Sequence, residues 1–300
     1  MRTVTDVDVV LPARAACGEC PGWWAERALL TWVDPPRAEV HRFDPATGLD
    51  RHVTFDRDVG AVAQRSSGGF VAAVADGFAF LDPDGPGLTK VATIVPDPPG
   101  RMNDGQCDPA GRFWAGTLAH GMVEGAGSLY RLDPDRTVTR VLDGVTCSNG
   151  MGWSADGTTM YYVDSLRYAV DAFTVTPDGA LTDRRTLVTV GGAAEGGGED
   201  AGGAGPDGLA VDADGCVWVA VWGAGEVRRY SPAGRLDTVV RVPAPYVTSC
   251  AFGGPALDVL YVTSAAIPMG EHGPHLPAPS GALFACRPGV AGLPARTFAG

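Results

Sequence analysis

Residues 206–222 read Pro-Asp-Gly-Leu-Ala-Val-Asp-Ala-Asp-Gly-Cys-Val-Trp-Val-Ala-Val-Trp. A short apolar run, an Asp-x-x-Gly corner and a second apolar run follow one another without a gap. In such a corner the Asp opens the turn through its side chain, and the Gly closes it where a positive φ is needed. The same shape recurs at Asp82-Pro-Asp-Gly85, Asp108-Pro-Ala-Gly111, Ser154-Ala-Asp-Gly157, Pro177-Asp-Gly179 and Ser231-Pro-Ala-Gly234, with diverged copies at Asp44-Pro-Ala-Thr-Gly48 and Asp133-Pro-Asp135. Between these corners lie runs of four to seven residues rich in Val, Tyr, Phe and Trp: 28–33, 69–74, 112–117, 128–132, 160–163, 216–221, 226–230 and 259–263. Such residues fit a pleated, half-buried surface. No stretch keeps a helical period, because Gly or Pro interrupts nearly every window; the chain has 42 Gly and 24 Pro in 300 residues. The fold class is therefore all-β.

Several corners stand 19 to 26 residues apart (Gly85 to Gly111, Gly157 to Gly179, Gly215 to Gly234), the length of one hairpin. Two hairpins make a four-stranded blade, and six blades of about 50 residues use up the chain. The reading is one six-bladed β-propeller domain over residues 1–300, with seven blades as the near rival. Gly191 to Gly205, Gly-Gly-Ala-Ala-Glu-Gly-Gly-Gly-Glu-Asp-Ala-Gly-Gly-Ala-Gly, breaks the rhythm and reads as a loop.

Composition bounds the partners. Lys and Arg number 23 against 35 Asp and Glu, a net charge of −12. That balance argues against a polyanion such as nucleic acid, whose binding depends on neutralising phosphates, and against an anionic membrane surface. Lys90 is the only lysine, the single candidate for Schiff-base chemistry. Seven cysteines, an odd number in a chain too long to need stapling, read as reduced thiols. Asp6 and Asp8 interrupt what a signal peptide would need to be apolar, and no run of 18 apolar residues occurs. The expectation is a soluble, cytoplasmic, acidic globular protein.

Polar residues appear where strands would not ask for them: Glu19 within Cys17-Gly-Glu-Cys-Pro-Gly-Trp23, Asn149 within Ser148-Asn-Gly-Met-Gly-Trp153, and Asp207 within Pro206-Asp-Gly-Leu-Ala-Val211. Asn149 and Asp207 hold equivalent places, each followed by Gly, a short strand and the corner. The innermost strand of a propeller blade starts near the central channel, so equivalent polar residues on different blades point at one axis. Two carboxylates and an amide oxygen form a hard oxygen set suited to Ca²⁺, Mg²⁺ or Mn²⁺. Against this stands the fact that Asn-Gly and Asp-Gly are also common hairpin turns. Arg101, Asn103 and Asp104 share one edge and are candidates to bind hydroxyls or a carbonyl of a polar ligand, or else form a local ion pair and turn.

With these residues in view, the chain resembles the senescence marker protein/gluconolactonase/luciferin-regenerating family, and its regucalcin-like sugar lactonases in particular. The motifs that carry the likeness are Cys17-Gly-Glu-Cys-Pro21, Arg101-Met-Asn-Asp-Gly-Gln-Cys-Asp-Pro-Ala-Gly-Arg-Phe-Trp-Ala-Gly-Thr117, Ser148-Asn-Gly-Met-Gly-Trp-Ser154, Tyr161-Tyr-Val-Asp-Ser165, Pro206-Asp-Gly-Leu-Ala-Val-Asp212, Thr248-Ser-Cys-Ala-Phe-Gly-Gly254, Tyr261-Val-Thr-Ser264 and Phe298-Ala-Gly300. The resemblance implies a six-bladed propeller holding one divalent metal ion (Ca, Zn, Mn, Mg or Fe) on Glu19, Asn149 and Asp207. It implies Asn103 near the metal and substrate, Arg101 as a substrate-binding residue, and Asp207 as general base in hydrolysis of a sugar lactone to its aldonic acid. The chain departs from the pattern after Thr117, where His120-Gly121 stand in place of an acidic substrate contact and make His120 a candidate contact here. The segment Gly191–Gly205 is a second departure, placed to cover or narrow the channel mouth.

Two other readings compete: a calcium- or ligand-binding propeller without catalysis, and a hydrolase of a different lactone or ester in a specialised pathway. A WD-repeat scaffold lacks its Gly-His and Trp-Asp repeats here. Gly-x-Ser-x-Gly and Gly-x-x-x-x-Gly-Lys motifs are absent. Cys17-x-x-Cys20 reads as structural, His272-Gly-Pro-His275 as a surface pair, and the tryptophans as blade packing, with Trp222 a candidate to approach the channel.

Overall fold

A computed structural model describes residues 1–192, 203–266 and 279–300. Most of the glycine-rich segment (193–202) and both His272 and His275 lie outside the described residues. The strands form six sheets arranged as a β-propeller. The first is β3 (Glu19–Trp24), β4 (Leu29–Asp34), β5 (Glu39–Asp44) and β6 (Leu49–Thr54), followed by β7 (Val59–Gln64), β8 (Phe70–Val74), β9 (Gly77–Leu81) and β10 (Leu88–Thr93). The third is β11 (Gly100–Cys107), β12 (Phe113–Ala119), β13 (Gly127–Leu132) and β14 (Val138–Val145); the fourth is β15 (Ser148–Trp153), β16 (Thr159–Asp164), β17 (Ala169–Val175) and β18 (Leu181–Thr189). The fifth is β19 (Gly205–Val211), β20 (Val217–Trp222), β21 (Glu226–Tyr230) and β22 (Leu236–Arg241).

The sixth blade closes the ring. Its inner strands β23 (Val247–Gly253), β24 (Val259–Ser264) and β25 (Leu283–Cys286) are completed by β2 (Asp8–Leu11), which pairs antiparallel with β25. β1 (Arg2–Val4) runs parallel to β22, so one N-terminal segment ties the fifth and sixth blades together. Closure of this kind leaves only short, protected edges.

The Asp-x-x-Gly corners all join either the first and second or the third and fourth strands of a blade, and so gather at one rim. Two show how they are fixed: Asp108 Oδ1 accepts the amides of Ala110 and Arg112, and its Oδ2 accepts Trp114 Nε1 at 2.8 Å. Asp212 repeats this with Asp214, Cys216 and Trp218 Nε1, again at 2.8 Å. The corner thereby holds the tryptophan that packs between blades, and Trp114 and Trp218 are fully buried. This is the blade-packing role the sequence assigns to tryptophan. All seven cysteines are free thiols. No helix among the described residues is long and apolar enough to cross a membrane.

Candidate functional site

Every innermost strand loses register near its start. The shift lies between Glu19 and Gly22 in β3, Val59 and Ala61 in β7, Met102 and Gly105 in β11, Ser148 and Met151 in β15, Pro206 and Leu209 in β19, and Val247 and Ser249 in β23. A bulge bends the strand and re-aims the side chain it carries. Glu19 stands at the edge of one such bulge, and Asn103, Asn149 and Asp207 stand inside others. Asn149-Gly and Asp207-Gly are therefore not hairpin turns: each lies within a continuous strand. The glycines serve close packing. A Cβ on Gly150 would come within 2.5 Å of Asp207 O, and one on Gly208 within 2.0 Å of Ser249 Oγ.

Two buried carboxylates hold the chain where it enters these strands. Asp34 accepts the amides of Ala16 at 2.8 Å and Cys17 at 3.0 Å, just before Glu19. Asp164 accepts those of Thr146 at 3.1 Å and Cys147 at 3.0 Å, just before Asn149. Side-chain bonds then fix the polar groups. Arg101 Nη1 donates to Asn103 Oδ1 at 2.8 Å, and Asn103 Nδ2 donates to Ser148 O at 2.8 Å and Asn149 Oδ1 at 3.2 Å. Asn149 Nδ2 donates to Ser165 Oγ at 2.9 Å, which turns its carbonyl oxygen away from that hydroxyl. Cys17 Sγ lies 3.6 Å from Glu19 Oε1.

Two acceptors are left over. Glu19 Oε2 and Asp207 Oδ1 are buried without a hydrogen-bond partner among the described residues. Burying a charged oxygen without a partner is costly. Accordingly burial, reinforced by the Asp104 carboxylate, pushes Glu19 up to about 8. Burial, then Glu19 and Asp104, pushes Asp207 well above the ordinary carboxylate range. Burial raises Asp104 to about 6. Crowded acidic oxygens with raised proton affinity and unfilled acceptors, beside an amide oxygen, match what a hard divalent cation takes.

The cavity holds about 250 Å³, the size of a small molecule rather than a polymer. Glu19, Arg101, Asn103, Asn149 and Asp207 all line it. Asp104 does not: its Oδ1 accepts the Gly105 amide at 2.7 Å, and it acts on the site through charge. His120 is exposed beyond the end of β12, with Leu118 and Met122 forming that part of the wall instead. More of the wall comes from Pro35, Pro36, Ser165, Leu166 and Tyr168, in or closing connections between second and third strands, and from Trp222 at the end of β20, which stacks on Tyr246 with ring centroids 4.5 Å apart. Gly203 and Gly205, at the end of the glycine-rich segment, also line the cavity. Ser165 closes the motif Tyr161-Tyr-Val-Asp-Ser165 without a site role assigned there, and Tyr168 lies outside every motif. Their signal is a repeat: Val33-Asp-Pro-Pro-Arg37 and Val163-Asp-Ser-Leu-Arg167 occupy the same place in blades one and four.

Several known proteins resemble this chain in sequence and fold. Regucalcin of Xenopus laevis is 37% identical over 303 residues, covering 98% of both chains. A crystal structure of a calcium-binding protein, regucalcin, from Agrobacterium tumefaciens superposes with a TM-score of 0.87 at 26% identity, covering 99% of each chain. A luciferin-regenerating enzyme structure gives 0.86 at 27% identity, covering 98% of this chain and 99% of that one. The family model described as SMP-30/Gluconolactonase/LRE-like region matches residues 17–266, and the chain belongs to that family.

Proposed function

We propose that this protein binds one divalent cation through Glu19, Asn149 and Asp207 and hydrolyses a sugar (aldono) lactone to the aldonic acid. The observation that carries the proposal is the pair of buried, unpartnered carboxylate oxygens, Glu19 Oε2 and Asp207 Oδ1, in the wall of a small-molecule cavity. A divalent cation, when bound, supplies Lewis-acid polarisation of an ester carbonyl. The chain's own groups do the rest. Arg101 makes two hydrogen bonds within the chain, to Met102 O and Asn103 Oδ1, from a group with five donors, so it can also bind sugar oxygens. Asn103 braces Asn149 from one side and Ser165 does so from the other, which keeps the amide oxygen turned to the cavity. Asp207, kept ionised by the bound cation, takes the proton from the attacking water. The apolar wall of Leu118, Met122, Leu166 and Trp222 limits water around the reacting ester.

The test is hydrolysis of glucono-, galactono-, arabinono- and xylonolactones by chelator-treated protein reloaded with Ca²⁺, Zn²⁺, Mn²⁺ or Mg²⁺. Glu19→Gln and Asp207→Asn should each cost roughly 100-fold or more in turnover while the variants remain folded by circular dichroism. Full turnover in either variant contradicts the assignment. A second reading has one observation in its favour, the calcium-binding description of the Agrobacterium relative: a cation-binding propeller without catalysis. It expects cation-dependent melting with no hydrolysis of any of these lactones by any loaded form.

A further inference from the structure

The outer strands of the first blade carry a group of side chains that the channel does not use. His41 on β5 and His52 on β6 are directly paired across the sheet, and Glu39 and Asp50 point from the same face. His41 is buried and stacks on the indole of Trp32, ring centroids 3.7 Å apart. Its Nδ1 lies 2.6 Å from Asp50 Oδ2, and Asp50 Oδ1 in turn accepts Trp32 Nε1 at 3.3 Å. Its Nε2 lies 3.2 Å from Glu39 Oε2, while the other Glu39 oxygen lies 3.6 Å from His52 Nε2. One carboxylate thus faces two imidazole nitrogens, and a second carboxylate grips the far nitrogen of the buried ring.

We infer that His41 Nε2, His52 Nε2 and Glu39 form a zinc-binding site on the outer part of blade one, with Asp50 orienting His41. Zinc holds His nitrogen and carboxylate oxygen at about 2.0–2.1 Å in a tetrahedron, which puts neighbouring donor atoms roughly 3.3 Å apart. The two observed nitrogen-to-oxygen separations, each to a different oxygen of Glu39, lie on either side of that value, and donor atoms of His41, Asp50 and His52 all lie within 4.8 Å of one another. A metal-bound histidine characteristically gives its other ring N–H to a carboxylate, and Asp50 stands in that place. Two histidines and one carboxylate leave a fourth position, and His52 is half exposed, so solvent reaches it. The donor set also separates this site from the channel: imidazole suits zinc, whereas the all-oxygen channel set suits calcium and magnesium. Zinc here would cross-link β5 to β6 near the rim of the blade. The inference does not depend on the channel binding any metal.

The test uses the full chain carrying Glu19→Gln and Asp207→Asn, stripped with chelator and titrated calorimetrically with Zn²⁺. One equivalent should bind, and a large excess of Ca²⁺ should not displace it. His52→Ala in that background should weaken binding about 100-fold, and His52→Cys, which restores a zinc donor, should recover most of it. Glu39→Gln should weaken it similarly, Asp50→Asn about tenfold. Since His52 is half exposed, its substitution leaves the fold intact. The same His52→Ala change should also remove one zinc equivalent from the chain with its channel residues unaltered. No zinc uptake by the channel-altered chain, or an isotherm unchanged by both His52→Ala and Glu39→Gln, overturns the inference.

Discussion

Blades one and four solve the same problem with different side chains. Each enters its inner strand through two amides held by a buried aspartate, Asp34 in one and Asp164 in the other. Each then leaves its second strand through a single 3-10 turn, Pro35–Arg37 or Ser165–Arg167, closed by a residue in the left-handed region, Ala38 or Tyr168, both at φ 55°. They part at the cavity. Blade one presents Glu19, with Pro35 in the turn position that Ser165 holds in blade four; blade four presents Asn149 bonded to Ser165. The difference has a physical reason. A carboxylate offers oxygen on either side and needs no orienting partner, whereas an amide has one useful face and one wrong one. Ser165 accepts the donor face of Asn149; Pro35, at the corresponding place in blade one, has neither a hydroxyl nor an N–H to offer Glu19.

The largest effect should come from breaking what the two blades share. Asp34→Ala and Asp164→Ala each leave two amides without their acceptor, both buried in blade four and one buried and one part-buried in blade one; at about 1–3 kcal/mol apiece each variant should lose about 2–6 kcal/mol in urea unfolding. Asp34 also carries an ion pair with Arg37 at 3.2 Å, more than half of it buried, which makes blade one the slightly costlier of the two. A near-normal denaturation midpoint for either variant would show that the two aspartates do not anchor their strands equally.

The next effect sharpens the point at which the blades differ. Ser165→Ala should lower divalent-cation affinity by about 10- to 100-fold, the range expected when an orienting partner of a ligand is removed. Asn149→Asp in the Ser165→Ala background should restore it, because a carboxylate has no wrong face. Pro35→Ala should change affinity little. Calorimetric titration of the four proteins decides this: Ser165→Ala binding like the parent would mean that Asn149 needs no help.

Much of the fold could be read from the chain because its information is local. The corner Asp212-Ala-Asp-Gly215 needs only its own turn and a tryptophan six residues on, so each copy announces itself. The six-blade count is harder from sequence, since β2 reaches its blade from the opposite end of the chain and gives no local sign of doing so. At the site, Glu19, Asn149 and Asp207 stand out because a polar residue beside glycine interrupts a strand pattern; what the pattern hides is the bulge that turns them inward. Asp104 illustrates the cost. Residues adjacent in sequence are separated when a bulge intervenes, and Asn103 lines the cavity while Asp104 does not. Asp34 looks like an ordinary strand-end residue; Asp164 falls within the motif Tyr161-Tyr-Val-Asp-Ser165, and the paired Val-Asp-x-x-Arg repeat links the two. His120 follows a strand end whose direction depends on the loop geometry, and it lies outside the cavity.

The smallest effect concerns charge, where Glu19 and Asn149 differ most simply: one titrates and the other does not. In the cation-free protein Glu19 is raised by burial and by Asp104 to about 8, from an ordinary 4.5. Between about pH 5 and pH 8 the folded chain therefore holds a proton that the unfolded chain has released, and unfolding free energy falls as pH rises through that window. Glu19→Gln removes this contribution. Its melting temperature should match that of the cation-free parent near pH 5 and rise above it toward pH 8, while Asn149→Asp, which adds a fourth buried carboxyl, should move the other way. Asp104 and Asp207 keep part of the slope in every variant, so the quantity to read is the gap between curves rather than either curve alone. Saturating divalent cation should close most of the gap's pH dependence in the parent, since the cation replaces the proton on the same oxygens. Parallel curves for parent and Glu19→Gln from pH 5 to pH 8 would mean that Glu19 keeps its charge in the folded chain without a cation, and that its unpartnered oxygen is compensated in some other way.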